Sequence, residues 1–398
     1  MQPAEAEPPS AAAVHCAHVS HRTISTILRH DSKQTSYKIA LLRALNDVVL
    51  AYPDVGRDGR DVAVPLRSLA EAWVAYYWPF VAPGAPVLQG VPSVRGDQPR
   101  QDVGFRAHLT ELRRDWEAIY GPSGAAGGWH LTEHLRVARK RAGYPAGLLT
   151  RYRGTLSRIA TALRQPIRYA GPGEGSVFAP PRPLRELTGA PPMAGAEALP
   201  GARPGDVCLR VPGDLWAAFR DVSLWVEALC IHEWSLFTER VSGTASRGTA
   251  YALLTERPDN RLPVSWERNQ VDIAIAEGAR FTCPWTGRPL GVGDFQLDHV
   301  VPVSVVPFHE LWNLVPADPG FNMHRKRARL PGPAALEAAV PRLASTYAAY
   351  GGSRELRRAL RDDVALRFAH ADADPPRVAR SVAGLIESIA TARNLARF

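Results

Sequence analysis

Apolar positions recur at steps of three and four over long parts of this chain. In SYKIALLRALNDVVLAY, Tyr37, Leu41, Ala44, Leu45, Val48 and Tyr52 share one stripe, and Pro53 closes the run, which predicts a helix. Residues 66–80 carry Leu66, Leu69, Trp73, Tyr76, Tyr77 and Phe80 in the same way, and residues 103–120 carry Phe105, Leu109, Leu112, Trp116 and Ile119. Aromatic stripes at this spacing are core material. Two further helices are expected near 131–141 and 145–163, with Arg136, Arg139, Lys140, Arg141, Arg151, Arg153 and Arg158 forming basic faces. Residues 169–205 lose the period among Pro, Gly and Ala and read as a linker or a long loop. A short strand is expected at 207–211. Residues 215–240 follow as a helix whose centre is apolar nearly all round, which predicts deep burial. A short helix over 268–278 precedes the stretch discussed below, and helices over 334–350, 354–368 and 376–398 follow it.

The resulting division is a disordered tail (1–20), a helical region (21–168), the linker or loop (169–205) and a second helical region (206–280). A compact unit (281–331) and a C-terminal helical region (332–398) complete it. The fold class is mainly α with a small embedded ββα unit, α+β overall.

Composition adds little to this. At 398 residues, 45% hydrophobic and 22% charged, the chain has the make-up of an ordinary globular protein with one large core or two modest ones. A net charge of +9 is compatible with a polyanionic partner, but the arginines are spread over the whole chain, so charge alone does not assign one. Cys16, Cys208, Cys230 and Cys283 lie far apart with no CxxC pair, which speaks against a disulfide framework and a cysteine zinc site. No apolar run reaches the roughly 18–20 residues that cross a bilayer. The N-terminus has no basic residue ahead of its short Ala run, so no secretory signal and no membrane partner are expected and the cytoplasm is the expected location. His232-Glu233 resembles half of a HExxH zinc motif, but Leu236 stands where the second histidine is needed, so the pair reads as core or surface.

The chemistry concentrates in FQLDHVVPVSVVPFHELWNLVPADPGFNMHRKRARLP, residues 295–331. Two short strands, 295–300 and 311–315, are expected to pair, with Asn313 facing across toward His299. Pro319-Gly320 breaks the chain, and a basic helix is expected over 322–329. Asp298 and His299 sit together on the first strand. Thirteen residues separate His299 from Asn313, and eight separate Asn313 from Asn322. A carboxylate and amide oxygens suit a hard divalent cation, and an imidazole can take a proton from water.

In this order and spacing, over residues 281–331, the chain resembles the HNH endonuclease superfamily, whose small unit is the ββα-metal fold. FQLDHVVPVS, LWNLVP and the basic segment ending in Leu330-Pro331 resemble one bacterial branch with helical flanks, and SYKIALLRAL resembles those flanks. The resemblance implies a metal-dependent endonuclease hydrolysing phosphodiester bonds in DNA, with a bacterial antiviral defence or restriction role. Asp298 and Asn322 would hold a divalent metal, Mg²⁺ first and Mn²⁺ as another candidate, and His324 is an alternative ligand. His299 would be the general base. Asn313 would fix the loop or orient the imidazole. The metal would meet a non-bridging phosphate oxygen and the leaving 3′ oxygen. Arg325, Lys326 and Arg327 would contact phosphates.

The departures also carry expectations. Relatives often place CxxC pairs around this unit to hold a structural zinc. Here only Cys283 stands, in Cys283-Pro284-Trp285-Thr286, so zinc is not expected and Trp285, Phe281 and Phe321 would fill its place. Relatives also often have Lys three residues after the helix Asn, followed by Ser. Here Arg325-Lys326 carries one extra residue, which leaves the helix register open by one. Two other functions fit the same residues: a partner-dependent nuclease subunit, and a non-catalytic nucleic-acid-binding protein on an HNH scaffold. Double-strand cleavage by one such unit would need a homo-oligomer or a second event.

Overall fold

A computed structural model describes residues 21–398 apart from 92, 96–97, 101, 172–175, 189–194, 257–263, 304, 306–308 and 371. The expected disordered tail, residues 1–20, lies outside the described residues. The protein is mainly helical with small sheets, and its residues divide into two compact units. The first comprises 1–128 and 150–256, and the second Trp129–Leu149 and Arg257–Phe398.

In chain order the helices are α1 (residues 21–29), α2 (Tyr37–Ala51), α3 (Leu66–Tyr77), α4 (Arg106–Tyr120), α5 (Gly127–Arg136), α6 (Ala138–Arg141), α7 (Ala146–Tyr169) and α8 (Leu184–Thr188). They continue with α9 (Gly213–Asp221), α10 (Ser223–Ser242), α11 (Arg247–Thr255), α12 (Ser265–Ala276), α13 (Pro319–Phe321), α14 (Pro333–Gly352), α15 (Arg354–Phe368) and α16 (Pro375–Arg393). The strands are β1 (Val62–Pro65), β2 (Ser93–Arg95), β3 (Gln98–Arg100), β4 (Arg182–Pro183), β5 (Glu197–Ala198), β6 (Val207–Val211), β7 (Phe281–Thr282), β8 (Pro289–Leu290), β9 (Gln296–His299) and β10 (Leu314–Ala317).

In the first unit the expected aromatic stripes meet as core. Tyr37 of α2 stacks on Trp73 of α3, Phe105 packs on both, and Tyr77 and Phe80 meet Trp234 of α10. Gln89 satisfies the polar groups this burial strands: its Oε1 accepts from the Trp234 indole at 2.6 Å and its Nε2 donates to Thr238. The segment 169–205, expected as a linker or long loop, contributes structure instead. It holds the end of α7, then β4, α8 and β5. These two-residue strands join β1 and β6 in a four-stranded sheet of order β4-β6-β1-β5, with β1 antiparallel to β6 and parallel to β5. The single apolar helix expected over 215–240 is two helices broken at Val222, and it is not deeply buried throughout. Leu224 is 56% exposed and Trp225 75%. An apolar run fixes how much surface a helix can bury, but not how much its neighbours cover.

The second unit is built on α14, α15 and α16, which match the three helices expected after Pro331. Two of them brace the short strand pair. The Tyr347 hydroxyl of α14 donates to the Trp312 carbonyl (2.7 Å), and Tyr350 donates to the carbonyl of Leu314 (2.8 Å). Asp363 of α15 accepts the N–H of Leu311 (2.8 Å) and pairs with Arg139 of α6. The segment 129–149, far from this unit in sequence, is therefore one of its structural parts.

Candidate active site

β9 and β10 form an antiparallel pair in which Asp298 lies opposite Val315 and His299 opposite Leu314. The expected second strand, 311–315, starts later than its sequence suggests. Leu311–Asn313 forms a 3-10 turn and pairing begins at Leu314. Asn313 does not face His299 across the pair. It clamps the chain just beyond: its carbonyl accepts from Val300 N–H (2.8 Å), its Oδ1 from Val301 N–H (2.7 Å), and its Nδ2 donates to the Val301 carbonyl (3.0 Å). Asn313 is wholly buried, so these bonds are made away from water, where leaving any one unmade is costly. Asn313 fixes the loop that leaves the Asp-His pair.

Ala317 ends the strand and the chain enters α13 through an N-cap at Asp318, whose Oδ1 accepts from Phe321 N–H (2.8 Å), with Pro319 at the first helical position. Residues Asn322–Lys326 then form a π-helical turn, with Arg327 N–H bonded to the Asn322 carbonyl five residues back. Arg327 closes it at φ 51°, a strained value for a residue with a side chain. A wider turn absorbs one additional residue.

The consequence is that Lys326 faces inward. Its ammonium lies 2.9 Å from Asp298 Oδ1 and donates to the His299 carbonyl at 2.7 Å, while the Trp285 indole donates to Asp298 Oδ2 at 2.9 Å. Asp298 and Lys326 are both nearly inaccessible. Burial raises the Asp298 pKa, and the ammonium and the indole oppose that rise. Phosphate contact by Lys326, expected from sequence, is not what this geometry provides. Arg325 and Arg327 are exposed.

Side chains alternate along a strand. Gln296 and Asp298 therefore share the side of β9 that the π turn covers, and Asn322 Nδ2 donates to Gln296 Oε1 (3.2 Å). Asn322 and Asp298 lie on one side of the strand, each engaged by a protein partner. His324 is exposed. His299 points the other way, to His309: its Nε2 is 3.4 Å from His309 Nδ1, and the rings meet edge-on at 5.3 Å between centroids. Burial pushes His299 down to about 3, with His309 and Lys326 adding to the effect, and His309 down to about 4. Both rings are neutral at pH 7.

Around His309 stand groups from 129–149 that the sequence did not single out as part of the site. Lys140, His130 and His134 all disfavour a charge on His309. Glu133, mostly buried, has its pKa raised to about 7 by burial, with Glu310 and Glu267 adding to the rise and Lys140 and Arg136 opposing it. His309-Glu310 stands ten residues after His299, and that second histidine was the signal available in the sequence.

The turn that carries Cys283 is closed by backbone bonds, Cys283 N–H to the Arg288 carbonyl and Gly287 N–H to the Cys283 carbonyl, both 2.8 Å. Gly287 is at φ 75°, and a side chain there would also press on the Arg342 guanidinium. The turn presents Trp285. Trp285 and Phe321 both pack edge-on against Phe398, and Phe281 packs against Tyr350. Phe398 is the partner the sequence did not suggest.

A divalent cation would find oxygen donors here: the Asp298 carboxylate, the Asn322 amide on the same side of β9, and the His299 carbonyl. Among the described residues no three His, Cys, Asp or Glu side chains group as metal ligands. Sites that hold a hard cation by one or two protein groups plus water do not need such a group. The Lys326 ammonium, against Asp298 and the His299 carbonyl, marks this as a place that favours positive charge. In chemical type the donors fit such an ion, with Lys326 as its competitor for Asp298.

A family model described as "Domain of unknown function (DUF8808)" matches residues 18–254, and the chain belongs to that family. The Asp298–Asn322 region lies beyond the matched residues. No curated protein and no solved structure matches the chain.

Proposed function

We propose that this member of the DUF8808 family is a metal-dependent endonuclease of the HNH type, with residues 281–331 as its ββα-metal unit and DNA as its substrate. The observation that carries the reading is the Asn313 clamp on Val300 and Val301, directly after Asp298-His299. A buried amide committed to fixing that loop is what the HNH resemblance asks of this position. The order strand, loop, strand, helix around it supports the same reading, as do exposed Arg325 and Arg327 beside the helix turn.

Each residue then has a task. Asp298 and Asn322 would hold the divalent cation, Mg²⁺ or Mn²⁺, with Lys326 withdrawing from Asp298 Oδ1. When bound, that cation supplies positive charge to offset the charge that develops on the phosphate and the leaving 3′ oxygen. His299, neutral because it is largely buried, accepts a proton from the attacking water; the water oxygen bonds to phosphorus as the P–O3′ bond breaks, and the released 3′ oxygen takes its proton from solvent. An anionic phosphate beside the ring would offset part of what burial costs its charged form, which improves it as a base. Arg325 and Arg327 hold the flanking phosphates. Asn313 keeps the imidazole's backbone in place.

No helix among the described residues is long and apolar enough to cross a membrane, which is compatible with a DNA substrate in the cytoplasm. A defence or restriction role remains part of the proposal through the HNH resemblance alone. The second reading, a subunit active only with a protein partner, has one observation in its favour: Lys326 already occupies Asp298. The test is incubation of the full chain with supercoiled plasmid, linear duplex and single-stranded DNA, with Mg²⁺, with Mn²⁺ and with EDTA. Cleavage abolished by EDTA supports the enzyme, cleavage indifferent to EDTA contradicts it, and DNA binding without cleavage favours the partner-dependent subunit or a non-catalytic nucleic-acid binder.

A further inference from the structure

The contact between His299 and His309 is used by nothing in the mechanism above. Nε2 of His299 and Nδ1 of His309 are 3.4 Å apart, and the ring centroids 5.3 Å. That separation is only a little less than the N···N distance plus two ring radii. The two nitrogens therefore point at one another along their ring planes, as donor and acceptor do, and the rings are not stacked. His309 is buried, two residues before Leu311, whose N–H Asp363 accepts.

An imidazole in its neutral form has one N–H and one lone pair. A contact between one nitrogen of each then permits two arrangements. If His309 Nδ1–H donates, His299 Nε2 spends its lone pair on that bond and its Nδ1 carries the hydrogen, leaving nothing to take a proton from water. If His299 Nε2–H donates, the lone pair on Nδ1 is left, and Nδ1 has no hydrogen-bond partner among the described residues.

We propose that His309 is a positioning residue for His299: its Nδ1 accepts a hydrogen bond from His299 Nε2–H and so fixes the tautomer in which His299 Nδ1 is the proton acceptor. The inference rests on the reading of His299 as the general base. When Nδ1 takes the proton from water the ring becomes an imidazolium with both N–H bonds, and the Nε2–H bond to His309 strengthens because its donor is now charged. No group is oxidised or reduced, and the proton stays on Nδ1 until the product leaves.

The test reads the tautomer directly. Long-range ¹H–¹⁵N correlation spectra of the full chain with labelled histidine at pH 7.5 are compared for the parent, His309→Gln and His309→Phe, with the His299 signals assigned by their loss in His299→Ala. The expected result is Nε2–H on His299 in the parent and in His309→Gln, whose amide oxygen can accept the same bond. A mixture of tautomers is expected in His309→Phe. On plasmid, His309→Phe should lower kcat by about 10- to 100-fold with KM nearly unchanged, and His309→Gln should recover most of that rate. An Nδ1–H tautomer in the parent, or a tautomer unaltered in both variants, overturns the inference. If the protein cuts no DNA the nuclease reading falls by its own assay, while the tautomer still decides whether His309 positions His299.

Discussion

The Lys326 ammonium sits 2.9 Å from Asp298 Oδ1, and both side chains are almost wholly shut off from water. A buried pair of this kind is poor evidence of net stabilisation, but breaking it by removing one partner costs about 3–5 kcal/mol because the other charge is left uncompensated. Lys326→Met should therefore destabilise the protein by that amount in chemical denaturation of the second unit. The double variant Asp298→Asn/Lys326→Met should recover most of the loss. A single variant within about 0.5 kcal/mol of the parent would mean that the pair does not form.

Asn313 offers a separate test. Asn313→Ala removes one acceptor and one donor that serve Val301 in a buried place, at a cost of about 3 kcal/mol. Asn313→Asp keeps the acceptor for Val301 N–H but turns a second acceptor on the Val301 carbonyl, so it should be no better tolerated. Thermal denaturation of both variants measures this. An Asn313→Asp variant as stable as the parent would contradict the clamp.

Glu133 gives a dependence on pH. Its folded pKa, raised from 4.5 to about 7, lies above its unfolded value, so the folded state binds the extra proton. The stability this group contributes is present below pH 4.5 and is lost as pH rises through about 7. Glu133→Gln does not titrate, so its stability relative to the parent should climb between about pH 5 and pH 8, by up to about 3 kcal/mol. Paired melting curves across that range check it, and a flat difference would show that Glu133 is not held protonated.

Arg139 and Asp363 tie the 129–149 segment to the site, since Asp363 accepts from Leu311 N–H as well as pairing with the guanidinium. Arg139→Ala leaves a buried carboxylate without its cation. It should cost about 3–5 kcal/mol and loosen the turn before Asn313. Hydrogen exchange at Leu311 and Leu314 should quicken, and unchanged protection there would contradict the link.

Much of this architecture was legible from apolar period alone. Helices over 37–51, 66–77 and the three that follow Pro331 come from stripes that any neighbour could cover. The two paired strands around Asp298 followed from short apolar runs, whereas the helix expected over 322–329 is a three-residue helix at Pro319–Phe321 followed by a π-helical turn at Asn322–Lys326. What could not be read depends on distant partners. β4 and β5 are two residues each and exist only because β6 and β1 pair with them. The inward turn of Lys326 depends on a π-helical turn that has no pattern of its own, since the same five residues in an α-helix would carry the lysine elsewhere. His309 looks like one histidine among twelve in the sequence, and only the fold brings it against His299. The join of 129–149 to residues beyond 257 is a long-range contact with no local signature.

In the proposed reaction His299 takes a proton from the water that breaks a phosphodiester bond. Single-turnover cleavage of supercoiled plasmid by the full chain and by His299→Ala, each with Mg²⁺ or Mn²⁺ and with matched DNA binding, isolates that step. His299→Ala is expected to bind DNA like the parent and to cut it at least about 100-fold more slowly. Cleavage by His299→Ala at the parent rate would contradict it.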